Sequence, residues 1–138
     1  MPSDYQLMLA SLDKLADQNV DIAPLVSQQF MTTDSVDLQV YADGNALQLE
    51  YMVTKVVEML LFFAQGNPRQ TELSYYDVPF HDDLGVTWPM YEGYMQVMLS
   101  VLQNVLGDAW DENTARAWHK QTDAMLKVIR QHIQPLSA

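Results

Sequence analysis

Between Asn45 and Gly66 the chain carries Leu49, Met52, Val53, Val56, Val57, Leu60 and Phe63. Steps of three and four residues put all seven on one broad face of a helix. Asn45 is a suitable N-cap, and Gly66-Asn67-Pro68 stops the run. The pattern predicts a long, very apolar helix over about residues 46–65. Glu58 interrupts its most apolar part near Val56–Ala64, which is too short to cross a bilayer. A chain built around such an element must cover it with other apolar faces.

The remaining segments supply those faces at the same period. Ser3 with Gln6 forms a capping-box pair ahead of Leu7, Leu9, Leu12 and Leu15. Asn19 and Asp21 break this first helix. A second runs from about Asp21 to Thr33, with Pro24 in its first turn and Leu25, Val26 and Phe30 inward. Thr32-Thr33-Asp34-Ser35 reads as a turn, Val36–Val40 as a short piece, and Ala42-Asp43-Gly44 as a loop after Tyr41. Arg69–Val78 is polar, then carries Leu73, Tyr75 and Tyr76; Pro79 limits or bends any helix there. Thr87 and Pro89 open another helix, whose buried side is Tyr91, Tyr94, Met95, Met98, Leu99, Leu102 and Leu106, with Gly107 at its end. Asp111 opens the last helix, with Trp118, Met125, Val128 and Ile129 inward.

The expectation is an all-α chain of about six or seven unequal helices, unlike a symmetric four-helix bundle. The chain's 138 residues, 49% hydrophobic and 18% charged, suit one domain over 1–138 with its own core. No repeat, low-complexity tract or linker divides it. With 5 Gly and 6 Pro, a turn-rich all-β fold is disfavoured. The absence of cysteine excludes disulfides, thiolate zinc sites, iron–sulfur clusters, thioether-linked haem and a thiol nucleophile.

Eighteen Asp+Glu against seven Lys+Arg give a formal charge of −11. Nucleic acid and anionic membrane surfaces repel such a chain, so neither is expected as a partner. Asp4 and the lack of a cationic stretch before an apolar block do not read as a signal peptide, and a cytoplasmic location is expected.

Few residues point to chemistry. No P-loop, Gly-x-Ser-x-Gly or Gly-x-Gly-x-x-Gly occurs. His81, His119 and His132 do not pair with one another or with a carboxylate in a metal-helix pattern, so a protein-only metal site has little support. His119 and His132 read as surface residues of the last helix. Taken alone, His81 reads the same way. Nine Met and seven Tyr read first as core filler and amphipathic packing.

The setting of His81 changes that reading. His81-Asp-Asp-Leu84-Gly85-Val86 is followed by Tyr91, then Leu99, Leu102, Leu106-Gly107-Asp108-Ala109 and Ala117-Trp118. In order and spacing this resembles bacterial single-domain globins and the globin domains of flavohaemoglobins. There, the proximal His precedes x-x-Leu-x-Ile/Val, a Tyr five residues on, a long helix ending Leu-Gly-Asp-Ala, and an Ala-Trp. The resemblance covers about residues 20–135 and is strongest after His81. Upstream it takes in Phe30, Val36 or Leu38, and Tyr41.

The resemblance implies a globin-like fold, with helix 46–65 crossing over the segment before His81 and Leu49 and His81 on one cavity. It implies haem b with iron on His81, whose second ring nitrogen is held by a backbone carbonyl from Tyr75–Val78. The implied walls are Val53, Val57, Leu84, Val86 and Leu102, with Tyr41 and Tyr91 at the ring edges. The distal position falls on Leu49, with Met52 beside it, and the family's distal Tyr on Ser27. The ligand class is a diatomic gas: O2, NO or CO. With Leu49 and Val53 distal, only Ser27, or an inward-turned Gln48 or Tyr51, offers a hydrogen bond, which favours CO or NO.

Sensing, storage or detoxification follows from this, and a binding protein rather than an enzyme. The enzymatic form would be haem-dependent NO or peroxide chemistry, with an electron donor the sequence does not name. A homodimer is compatible with the reading. Pro79, the scarcity of cations for propionates, and the bulk of Tyr41, Met52 and Leu49 sustain a second reading. It is a haem-free globin-fold sensory or interaction domain holding an apolar ligand.

Overall fold

The computed structural model describes residues 2–31, 46–67, 77–83 and 86–133. Among them are six α-helices: α1 (Asp4–Asp17), α2 (Ile22–Met31), α3 (Ala46–Ala64), α4 (Val78–Asp83), α5 (Trp88–Leu106) and α6 (Glu112–His132). A 3-10 turn, Gly107–Ala109, joins α5 to α6. The chain is all-α in these residues, as the apolar periodicity requires. The turn 32–35, the piece Val36–Val40, Tyr41, the loop 42–44 and most of Arg69–Val78 lie outside the described residues.

Local groups set the helix ends. Ser3 Oγ accepts from the Gln6 amide at 3.1 Å, and Gln6 Oε1 accepts from the Ser3 amide at 2.9 Å, so both partners of the capping box are satisfied. Beyond α1, Asn19 takes φ 55°, a conformation Asn tolerates better than most residues. The Val20 amide then reaches back to the Leu15 carbonyl at 2.9 Å. Asp21 Oδ1 accepts from Ala23 N at 3.0 Å and starts α2. Gly66, at φ 74°, lets the Asn67 amide close on the Phe62 carbonyl at 3.0 Å and ends α3. Asp111 Oδ1 accepts from Thr114 N at 2.8 Å and starts α6.

Helix α2 packs on α3 and α5, α1 packs on α6, and α6 also covers α3 and α5. The shared core holds Met8, Phe30, Leu60, Met98, Leu102 and Trp118 as its largest closed-off side chains. Phe30 stacks on Tyr94 with ring centres 5.3 Å apart, fixing α2 against α5. Tyr94, Met95, Met98, Leu99, Leu102 and Leu106 are buried as expected, and Tyr91 is half-buried. In the last helix Trp118, Met125, Val128 and Ile129 are buried.

Of the apolar positions of α1, Leu15 is buried and Leu7 and Leu12 pack half-buried against the core, with Met8 and Ser11 buried on the same face; Leu9 is half-buried. A polar contact ties this face to α6: Trp118 Nε1 donates to Ser11 Oγ at 3.0 Å, and Ser11 donates to the Met8 carbonyl at 2.6 Å. A buried indole N–H needs an acceptor, so α1 presents its serine to α6. At the other end of the same contact, Asp4 Oδ2 accepts from Gln121 Nε2 at 2.8 Å and lies 3.8 Å from Lys120 Nζ. Among the described residues, no helix is long and apolar enough to cross a membrane.

Candidate functional site

His81 sits in the fourth position of the short helix α4. Pro79, expected to limit or bend a helix here, is the second residue of α4, and the backbone of Asp77 just before α4 is π-helical rather than α-helical. Val78, the first residue of α4, is buried.

His81 Nδ1 lies 2.6 Å from the Asp77 carbonyl oxygen. A carbonyl can only accept, so the proton of this bond is on Nδ1. In the neutral ring Nε2 then carries the lone pair and faces away from the backbone contact. This is the carbonyl expected from Tyr75–Val78. The His81 carbonyl in turn accepts from the Val86 amide at 3.0 Å, which ties the start of the following connection to α4.

Two aromatic rings flank the imidazole. Tyr91, on the first turn of α5, has its ring centre 5.9 Å away at an interplanar angle of 56°. Phe80 meets it edge-on at 5.7 Å and is 58% exposed. His81 itself is half-buried. The start of α5 is held separately: the Arg130 guanidinium lies over the Trp88 ring at 4.8 Å, joining it to the end of α6.

The other expected residues fall into three groups. Leu49, Val53 and Leu102 are buried in one apolar core, with Met52, Val57 and Tyr91 packed half-buried against it. Val86 is half-buried beside His81. Tyr41 and Leu84 lie outside the described residues, as does most of the segment that helix α3 is expected to cross. Of the candidate hydrogen-bond donors, Ser27 is buried, whereas Gln48 is exposed and Tyr51 is 61% exposed. Neither Gln48 nor Tyr51 turns into the core.

His119 is exposed and edge-on to Trp110 at 6.3 Å, and His132 is exposed. Among the described residues no group of three His, Asp or Glu side chains gathers to hold a metal ion. A single axial imidazole does not need such a group. A surface cleft of about 330 Å3 opens between α2 and α5, lined by Leu25, Gln28, Gln29, Val101, Asn104 and Val105. None of these is a residue expected to contact a cofactor.

Sequence reasoning missed Ser11 and Thr122, two buried hydroxyls on facing helices. Small polar residues carry no periodic signal, and only the partner helix reveals that they face inward.

No family model, curated protein or solved structure matches the chain.

Proposed function

We propose that this chain is a globin-like haem protein that binds a diatomic gas, with His81 as the axial ligand. The observation that carries the proposal is the 2.6 Å contact of His81 Nδ1 with the Asp77 carbonyl. It selects one tautomer, restrains the ring, and leaves Nε2 as an available donor atom. The His81–Val86–Tyr91 spacing, with Tyr91 against the imidazole, supports the same reading.

Haem, when bound, supplies an iron at which O2, NO or CO is held. The chain's contribution would be the imidazole and its orientation; Leu49, Val53 and Leu102, which the resemblance assigns to the walls, are buried in the apolar core. Gln48 and Tyr51 point to solvent, so they offer no hydrogen bond on that wall. That leaves the short Ser27 hydroxyl, which is buried, as the remaining candidate donor; a wall this poor in donors discriminates against O2, the ligand that gains most from one, and favours CO or NO. Proton-dependent peroxide chemistry needs a group that moves protons on the gas side, which an apolar wall does not supply.

A second reading, a haem-free globin-like sensory or interaction domain, rests on the burial of Leu49, Val53 and Leu102 against other protein side chains. Titrating purified chain with haemin separates the two. Saturable one-to-one uptake with a Soret band that His81→Ala loses is the expected result. No saturable uptake, or a spectrum that His81→Ala leaves unchanged, would overturn the assignment.

A further inference from the structure

The outward face of α3 carries apolar side chains in open water. Leu47 is 74% and Tyr51 61% exposed, one helical turn apart. The same face continues through Lys55, Glu58 and Phe62, because residues three and four apart share a face. Lys55 and Glu58 are exposed and Phe62 is half-buried. The Lys55 ammonium lies 5.7 Å from the centre of the Tyr51 ring. Leu49, Val53 and Leu60 take the opposite, buried face.

From Tyr51 to Phe62 the stripe reads aromatic, cation, anion, aromatic, at steps of four, three and four. Reversed, it has the same spacing and the same residue types, with the two charges exchanged. A stripe of that kind complements itself across a two-fold axis. When two copies of α3 lie antiparallel, Tyr51 meets the partner's Phe62 and Lys55 meets the partner's Glu58. Each contact then occurs twice.

Charge makes this face distinctive. With 18 Asp+Glu against seven Lys+Arg, most faces of the chain repel another copy. A self-contact needs a cation near its middle, and Lys55 stands there beside exposed apolar surface. We propose that the Tyr51–Lys55–Glu58–Phe62 face of α3 is a two-fold interface between two copies of this chain. A single helix face on each side is small for a specific interface, so the dimer exchanges with monomer. This proposal does not depend on haem.

Sedimentation velocity on the full chain, over roughly a hundredfold range of concentration, tests it. The wild type is expected to shift from monomer to dimer across that range. Lys55→Glu and Glu58→Lys each place like charges opposite one another and weaken dimerisation by about tenfold or more. Two restorations are expected, the second of them specific to the antiparallel register. An equimolar mixture of the two single variants regains the dimer, and so does the double variant K55E/E58K. Both substituted positions, Lys55 and Glu58, are exposed on α3, and matching far-UV circular dichroism checks that the helix is intact. A wild type that stays monomeric throughout overturns the proposal. So does a dimer that both single variants retain, or a mixture and double variant that fail to restore it.

Discussion

The Trp118 indole N–H donates to Ser11 Oγ at 3.0 Å, joining two buried residues from the first and last helices. The Ser11 hydroxyl in turn donates a hydrogen bond to the Met8 carbonyl, so both donors are satisfied inside the core. Ser11→Ala leaves the indole N–H without an acceptor and is expected to cost about 1–2 kcal/mol. The double variant Ser11→Ala/Trp118→Phe is expected to cost less than the sum of the separate changes, because the polar partners then leave together. Urea unfolding of the four species in the cycle gives the coupling. Additivity would show that the contact contributes nothing of its own.

Thr122 presents the opposite case. Its side chain is 2% exposed, and among the described residues its hydroxyl has no hydrogen-bond partner. Thr122→Val is close in shape and removes the unsatisfied group. It is expected to leave stability unchanged or raise it by up to about 1 kcal/mol, read from the same urea titration.

Acid sensitivity follows from the cap of α6. The Asp111 carboxyl accepts from the Thr114 amide and is held below its ordinary value of 3.8. The folded state therefore binds this proton less readily than the unfolded chain. Its stabilising contribution is present above the ordinary value and disappears as pH falls through the lowered one. Asp111→Asn keeps a capping oxygen but does not titrate. The variant should lose less stability than wild type from about pH 4 downward, measured as the unfolding midpoint against pH. Equal acid slopes would contradict this account of the cap.

Under the proposed haem assignment, the rings beside His81 should differ in their effect on haem retention. Tyr91 is half-buried against the imidazole, whereas Phe80 projects 58% of its surface to water. Tyr91→Ala opens the side of the site and should speed haem loss to an excess of acceptor apoprotein severalfold, and Phe80→Ala much less. The reverse order would place the cofactor on the other side of the ring.

Gln48 and Tyr51 supply a negative control for gas binding. Both point outward, so Gln48→Leu and Tyr51→Phe are expected to leave O2 dissociation from the haem-loaded protein unchanged. A large acceleration in either variant, followed by stopped-flow absorbance, would mean that the side chain reaches the gas.

Much of the secondary structure was legible because it depends on groups a few residues apart. Ser3 with Gln6, Asp111 with Thr114, and Gly66 at the end of α3 are local arrangements that any tertiary context inherits. The inward sides of α5 and α6 were equally plain, since their apolar stripes are long. The spacing from His81 to Val86 and Tyr91 is likewise a property of the linear chain. Leu7, Leu12 and Leu15 mark the core-facing side of α1, but that Ser11 is buried among them was not legible, because its acceptor role depends on Trp118 from the last helix. The outward placement of Gln48 and Tyr51 was legible, since the stripe of α3 already commits Leu49, Val53 and Leu60 to the core. Pro79 reads as a limit or bend in the sequence, and the chain changes from π-helical backbone at Asp77 to the short helix α4 beside it. Caps and periodicity are satisfied within one or two turns of backbone, so the sequence by itself determined the helices. Burial and the pairing of polar groups depend on which distant helix arrives opposite, and that only the tertiary structure decided.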